Sequence, residues 1–174
     1  MVLLKKKFFA VESPVLENPF EILATSLENA LGRHIKIDMT RQLKGKNADV
    51  VLEVAKKDGK IIGEMISLTV SPSYIRRIMR NSISYIEDSF QCQAKDSKLR
   101  IKFLMLTRKK IHRGVRNALR LKAIEFLTEF CKDKDLDDVF RGILDMGLQK
   151  ELSQKLKKIY PLAFCDIRVI KKEK

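Results

Sequence analysis

Tryptophan is missing from this chain, and histidine occurs only at His34 and His112. Without indole rings, any stacking platform for nucleobases falls to phenylalanine and tyrosine. Most of the nine phenylalanines fit apolar stripes that predict core packing, which leaves Tyr74 and Tyr160, near basic residues, as weak candidates for stacking. The two histidines are solitary, one opening a strand-like run and the other set among arginines, and neither has a partner at the short paired spacing of a zinc site. Cysteine occurs three times, at Cys92, Cys131 and Cys165, with no C-x-x-C pair. An odd number at wide spacing predicts reduced, buried thiols and a cytosolic setting. No apolar run reaches the roughly eighteen residues that cross a bilayer. Met1-Val-Leu-Leu is interrupted at once by Lys5, Lys6 and Lys7, which leaves no hydrophobic region for a secretory signal. No amphipathic or lipidated element accompanies those lysines to make a membrane anchor.

Catalytic chemistry is equally scarce. Gly45, Gly59 and Gly63 read as turn or strand glycines, and no glycine-rich phosphate loop exists. Asp133, Asp135 and Asp137 resemble the start of a calcium loop, but Asp138 stands where the turn glycine belongs and Leu144 where the closing glutamate belongs. Helix capping explains those acids better. A metal-dependent nuclease is the sharpest enzyme hypothesis for a basic protein, with Asp49 and Glu53 as its nearest acids. Glu53 and Lys56, however, are three apart on a predicted strand and so point to opposite faces. No cofactor, metal or small-molecule substrate is expected.

What the chain has in abundance is positive charge. It carries 36 Lys and Arg against 22 Asp and Glu, a net charge of +14, on a sequence that is 45% hydrophobic and so can fold. Thr107 to Lys122 reads TRKKIHRGVRNALRLK: seven basic residues and no acid. If a helix begins near Arg108, then Lys109, Arg113, Arg116 and Arg120 share one face. A solvated face is the ordinary explanation for basic helices. This run is arginine-heavy and lacks interleaved acids, which favours a polyanion alongside it, with arginine and lysine meeting phosphates of folded RNA.

Lys5–Ser13 and Phe20–Thr25 predict short strands, with Pro14 and Pro19 breaking the chain between them. Gly32 marks a turn before His34–Thr40, where Ile35, Ile37 and Met39 alternate with Lys36 and Asp38. Asp49–Ala55 and Lys60–Val70 flank Asp58-Gly59, a hairpin signal. Ser71-Pro72 predicts a helix start with serine as cap, Ile75, Ile78 and Met79 inward, and Arg76, Arg77 and Arg80 outward. Residues 82–94 fit helix or strand, and the turn at Lys95–Lys98 favours a strand pairing with Leu99–Leu106. The basic run then enters a helix with a stripe of Leu119, Ala123, Phe126, Leu127 and Phe130. Asp135 is the candidate cap of the next helix, which carries Leu136, Val139, Phe140, Ile143 and Leu144 and stops at Gly147. Leu148, Leu152, Leu156 and Ile159 mark another helix, ended by Pro161, and Phe164–Ile170 alternates as a last strand before Lys171 and Lys172. The fold class is α+β: an antiparallel sheet or barrel-like core with helices packed on it, concentrated in the C-terminal third. A single domain is expected over residues 1–174, with 5–107 mainly β around one short helix and 108–174 mainly helical with a final strand.

Several stretches occur together in a familiar order. Leu31-Gly32-Arg33 precedes a strand and Leu43-Lys44-Gly45-Lys46 follows it. Thr107-Arg108-Lys109-Lys110 leads into an arginine-bearing helix. Asp135-Leu136 opens a helix, and Ile159-Tyr160-Pro161-Leu162 steps into a strand ending Ile167-Arg168-Val169. From about Lys6 to Lys172 this succession resembles the archaeal and eukaryotic small-ribosomal-subunit proteins of the S-one-e, or S-three-A-e, type. The resemblance implies a structural constituent of the small subunit, bound to rRNA on the platform side near the rRNA 3′ end and the mRNA exit. It also implies neighbouring ribosomal proteins as partners, a cytoplasmic ribosomal location, no catalysis and a barrel-like β core. Two features depart from the family: the basic N-terminal extension is reduced to Lys5, Lys6 and Lys7, and Ser71-Pro72-Ser73 replaces an acidic start to the first helix. The short chain points to a reduced, archaeal-like member. The expected phosphate contacts are Arg108, Lys109, Lys110, Arg113, Arg116 and Arg120, followed by Arg76, Arg77, Arg80, Arg168, Lys171 and Lys172 and the N-terminal lysines. The rivals are a free-standing RNA or DNA chaperone and the nuclease.

Overall fold

The computed structural model of the protein describes residues 6–16, 19–57 and 60–173. Lys5 and the Asp58-Gly59 turn therefore lie outside the described residues. In chain order the elements are β1 (Lys7–Val11), β2 (Phe20–Ala24), β3 (His34–Asp38), β4 (Ala48–Lys57), β5 (Lys60–Val70), α1 (Pro72–Ile78), β6 (Tyr85–Gln93), β7 (Lys98–Thr107), α2 (Arg113–Lys132), α3 (Leu136–Leu144), α4 (Gly147–Leu156) and β8 (Leu162–Glu173). Two antiparallel sheets result: a ribbon of β1 and β2, and an open six-stranded sheet in the order β3-β4-β5-β8-β7-β6. The sheet is open: of the two forms expected the plain antiparallel sheet is realised, and the barrel-like core that the resemblance implied is not, because β3 and β6 end the strand order without pairing with each other.

Alternation along each strand becomes two kinds of row across the large sheet. Ile37, Val50, Leu68, Ile170, Ile101 and Phe90 stand opposite one another in successive strands. All are apolar, and Val50, Leu68, Ile170 and Ile101 are buried. The next row is Lys36, Val51, Ser67, Lys171, Arg100 and Gln91, nearly all polar. Because side chains alternate with period two, one sheet face is therefore apolar and the other wet. β7 and β8 are direct neighbours although α2, α3 and α4 lie between them in sequence, so the helices fold back onto the sheet. α2 packs on β6, α4 on β8, and α4 also on α2 and α3. Leu119, Ala123, Phe126, Leu127, Val139, Phe140, Leu148, Leu152 and Leu156 close the core from that side.

β5 and β8 pair only over Ser67–Thr69 and Val169–Lys171. The start of β5 is instead met by the ribbon: Glu12 bridges Ile62, and the Gly63 N–H donates to the Glu12 carbonyl at 2.8 Å. A Cβ on Gly63 would come within 2.9 Å of the Phe20 ring, so any side chain there would have to displace that ring of the ribbon.

Several local signals are realised differently. Ser71 does precede α1 but makes no side-chain cap; its hydroxyl is hydrogen-bonded to that of Ser73 at 2.7 Å. Met79, expected inward, lies past the end of α1 and is 46% exposed. Asp135 precedes α3 without capping it, and its carboxylate faces Lys95 at 3.7 Å. The left-handed residue between α3 and α4 is Met146 (φ 56°), and Gly147 opens α4 instead of stopping α3. α4 ends at Leu156, which leaves Ile159 in a turn and 40% exposed. Cys92 and Cys131 are buried and Cys165 half-buried, all three as free thiols. Cys131 is held above the usual thiol range by its hydrogen bond to Cys92 and by burial, so two cysteines far apart in sequence meet where β6 packs on α2.

Candidate nucleic-acid interface

Antiparallel pairing brings the ends of β3, β5 and β7 to the same edge of the sheet as the starts of β4, β6 and β8. Four connections therefore share one rim: residues 39–47, 71–84, 108–112 and 157–161. None contains an aspartate or glutamate. Between them they supply Arg41, Lys44, Lys46, Arg76, Arg77, Arg80, Arg108, Lys109, Lys110, Lys157 and Lys158, and all but Lys46 are exposed. Connections at the opposite end mix the two signs, as at Lys95-Asp96 and Asp133-Lys134-Asp135. The net positive charge is thus concentrated at one end of the molecule.

The basic run is built as a loop followed by a helix, not as one helix. α2 begins at Arg113 and not near Arg108, so Lys109 does not share the arginine face. Thr107, fully buried, explains the delay. Its hydroxyl accepts from the Ser84 N–H at 2.9 Å and donates to the Lys109 carbonyl at 2.6 Å. The Ser84 hydroxyl in turn accepts from the Ile111 N–H at 3.0 Å, and His112 Nδ1 accepts from the Gly114 N–H at 3.2 Å, capping α2. These bonds tie the α1–β6 loop, with Arg76, Arg77 and Arg80 just upstream, to Arg108, Lys109 and Lys110. Thr107→Val should strand the buried Ser84 donor and destabilise the protein by about 1–3 kcal/mol. Thermal unfolding checks this; a midpoint equal to the parent's would remove Thr107 from its positioning role.

On α2, Arg113, Arg116 and Arg120 face the edge strand β6 around a shallow hollow of about 270 Å³ lined also by Tyr85 and Glu87. Arg120 lies 3.5 Å from the Asp88 carboxylate, and Arg168 pairs with Glu87. Tyr85 donates to the same Glu87; burial and that carboxylate push its phenol up to about 12. Lys172 reaches Glu64 at 4.0 Å. Arg113 and Arg116, like Arg108, Lys109 and Lys110, make no ion pair among the described residues.

The structure therefore separates the expected contacts into two groups. Arg76, Arg77, Arg80, Arg108, Lys109, Lys110, Arg113, Arg116 and Arg120 gather at or beside the rim. Lys6 and Lys7 begin the ribbon that docks at the far end of β5, while Lys171 and Lys172 lie toward the far end of β8. Arg168 sits mid-sheet, committed to Glu87. Sequence reading did not place Arg41, Lys44, Lys46, Lys157 and Lys158 with the basic run, although the acid-free stretches 39–47 and 157–163 were the visible signal that they share the rim. A hollow of about 730 Å³ on the wet face, where β5 and β8 part, is away from the rim. Its charges are largely matched, with Arg100 Nε 2.5 Å from Glu173.

One buried ion pair braces the rim from within. Lys46 Nζ lies 2.5 Å from Asp166 Oδ2, with side chains 14% and 5% exposed. The other Asp166 oxygen accepts from the Ile167 N–H at 2.9 Å and from Gln149 Nε2 at 3.3 Å. Thus the β3–β4 loop, α4 and β8 are held together behind the exposed charges.

Fold and charge together define a basic α+β domain with one acid-free edge. The chain belongs to the Ribosomal S3Ae family, which it matches over residues 3–174. It is accordingly a ribosomal protein and not an enzyme. It is 26% identical over 172 residues to small ribosomal subunit protein eS1 of Nanoarchaeum equitans, covering 94% of this chain and 87% of that one. The protein of the same name from Saccharolobus solfataricus is 24% identical over 174 residues, covering 95% of this chain and 84% of that one. That of Saccharolobus islandicus is 23% identical over 174 residues.

Proposed function

We propose that this protein is a structural constituent of the small ribosomal subunit that binds folded rRNA through its rim. Four acid-free connections converging at one end of the sheet carry this reading. Like charges about 4 Å apart in water repel by about 1 kcal/mol per pair. A folded edge built from so many of them is relieved when a phosphate chain lies along it, with release of counterions. Location on the platform side near the rRNA 3′ end and the mRNA exit, in the cytoplasm, follows from the family resemblance. Neighbouring subunit proteins are expected on the ribbon, where Phe8 and Leu23 stand opposite each other at 69% and 42% exposure. Sedimentation separates this function from a free-standing chaperone. The protein should travel with small subunits through a gradient at moderate salt, and its recovery only at the top would contradict the proposal.

A further inference from the structure

Behind the rim, between α4 and the start of β8, lies a hollow of about 430 Å³. Its apolar side is formed by Leu162 and the ring of Phe164, and Ser153 and Gln154 of α4 line it opposite. Phe164 belongs to an alternating series of cations and rings. Arg77 lies over the Tyr74 ring at 5.6 Å. Tyr74 meets Phe164 at 6.4 Å between centroids with planes tilted by 53°. Lys46 stands 5.8 Å over the Phe164 ring. Gln149 borders the same hollow and is 6% exposed. Its Nε2 is used twice, toward the Ile143 carbonyl and Asp166, while its Oε1 has no donor among the described residues.

Phosphate contact alone gives these features no role. Aromatic surface beside cations grips unstacked bases, since every base has a π-face, and side-chain amides and hydroxyls read base edges. A base with an exocyclic amine also brings the donor that Gln149 Oε1 lacks. We propose that this hollow receives an unpaired nucleobase, extruded from RNA whose backbone follows the rim. The site rests on the RNA-binding reading given above and adds single-stranded recognition to it.

Binding of a labelled oligoadenylate and of a blunt, GC-rich RNA duplex, each measured across a salt series, tests this on the full chain. Phe164→Leu keeps an apolar residue in β8 but removes the ring. Ala163→Leu, at an exposed lining position, narrows the mouth without touching the core. Each should weaken oligoadenylate binding roughly tenfold, within the range that one stacked base contributes. Neither should change duplex affinity or either salt slope. A combined Arg113→Ala, Arg116→Ala variant should make both slopes shallower. If those slopes are unchanged, RNA binding at the rim itself is wrong. If they flatten while both hollow variants bind oligoadenylate like the parent, the base site is wrong and the rim stands. An Ala163→Leu variant that folds normally by circular dichroism and binds like the parent overturns the base site even if Phe164→Leu fails to fold.

Discussion

Asp166→Ala is expected to destabilise the fold by about 3–5 kcal/mol, the cost of leaving a buried charge without its partner. Asp166 is 3% exposed and serves three groups at once: the Lys46 ammonium, the Ile167 N–H and the Gln149 amide. Alanine leaves all three without this acceptor, and Lys46 is too enclosed to recover full hydration. Against a total stability of about 5–15 kcal/mol for a typical domain, that is a large fraction. Asp166→Asn keeps an oxygen for Ile167 but loses the ion pair, and so should fall between the parent and the alanine variant. Chemical denaturation measures both, as a lower midpoint at unchanged slope. An alanine variant within 1 kcal/mol of the parent would show that Lys46 and Asp166 are solvated in solution and do not brace the rim.

Replacing Arg108, Lys109, Lys110, Arg113 and Arg116 with alanine should nearly abolish rRNA binding at moderate salt. Each lost phosphate contact flattens the dependence of log affinity on log salt by about 0.7 to 0.9, so five lost contacts flatten it by about 4. Stability should barely change for the exposed side chains, because surface substitutions away from packing are usually within about 0.5 kcal/mol. The control set is Lys6, Lys7, Lys171 and Lys172, which has similar chemistry but lies toward the far end of the sheet. Neutralising it should leave the slope close to the parent's. Arg120→Ala should have a smaller effect than Arg116→Ala, because Arg120 already faces Asp88 at 3.5 Å. Filter-binding or anisotropy titrations over a salt series read all of these. Equal slopes for the rim and control sets would mean that charge acts without regard to place.

Strand positions were legible because a sheet with one buried face writes its period into the sequence. Ile35, Ile37 and Met39 alternate with Lys36 and Asp38, and Leu99, Ile101 and Phe103 with Arg100 and Lys102. Where β8 inserts was not legible: the last strand joins β5 to β7, a choice made by long-range packing that leaves no local mark. Helix caps failed where another side chain stood at the capping group. Ser71 and Asp135 have the right chemistry, but the Ser71 hydroxyl is bonded to that of Ser73, two residues on, and the Asp135 carboxylate faces Lys95 from the β6–β7 turn. The start of α2 was placed too early because Thr107 spends its hydroxyl on the loop, a contact twenty-three residues distant at Ser84. The same limit applies to the interface. Arg108–Arg120 is contiguous and could be seen, whereas Arg41, Lys44, Lys157 and Lys158 join it only once antiparallel pairing sets their loops side by side.

Determining the structure of the assembled small subunit gives the most direct measurement: the distance from each rim cation to the nearest phosphate oxygen. Arg41, Arg76, Arg108, Lys110, Arg113 and Arg116 should lie within hydrogen-bonding or single-water reach of rRNA phosphates, while Lys6 and Lys7 do not. A rim open to bulk solvent, with rRNA approaching only the opposite end of the sheet, would contradict the proposed interface.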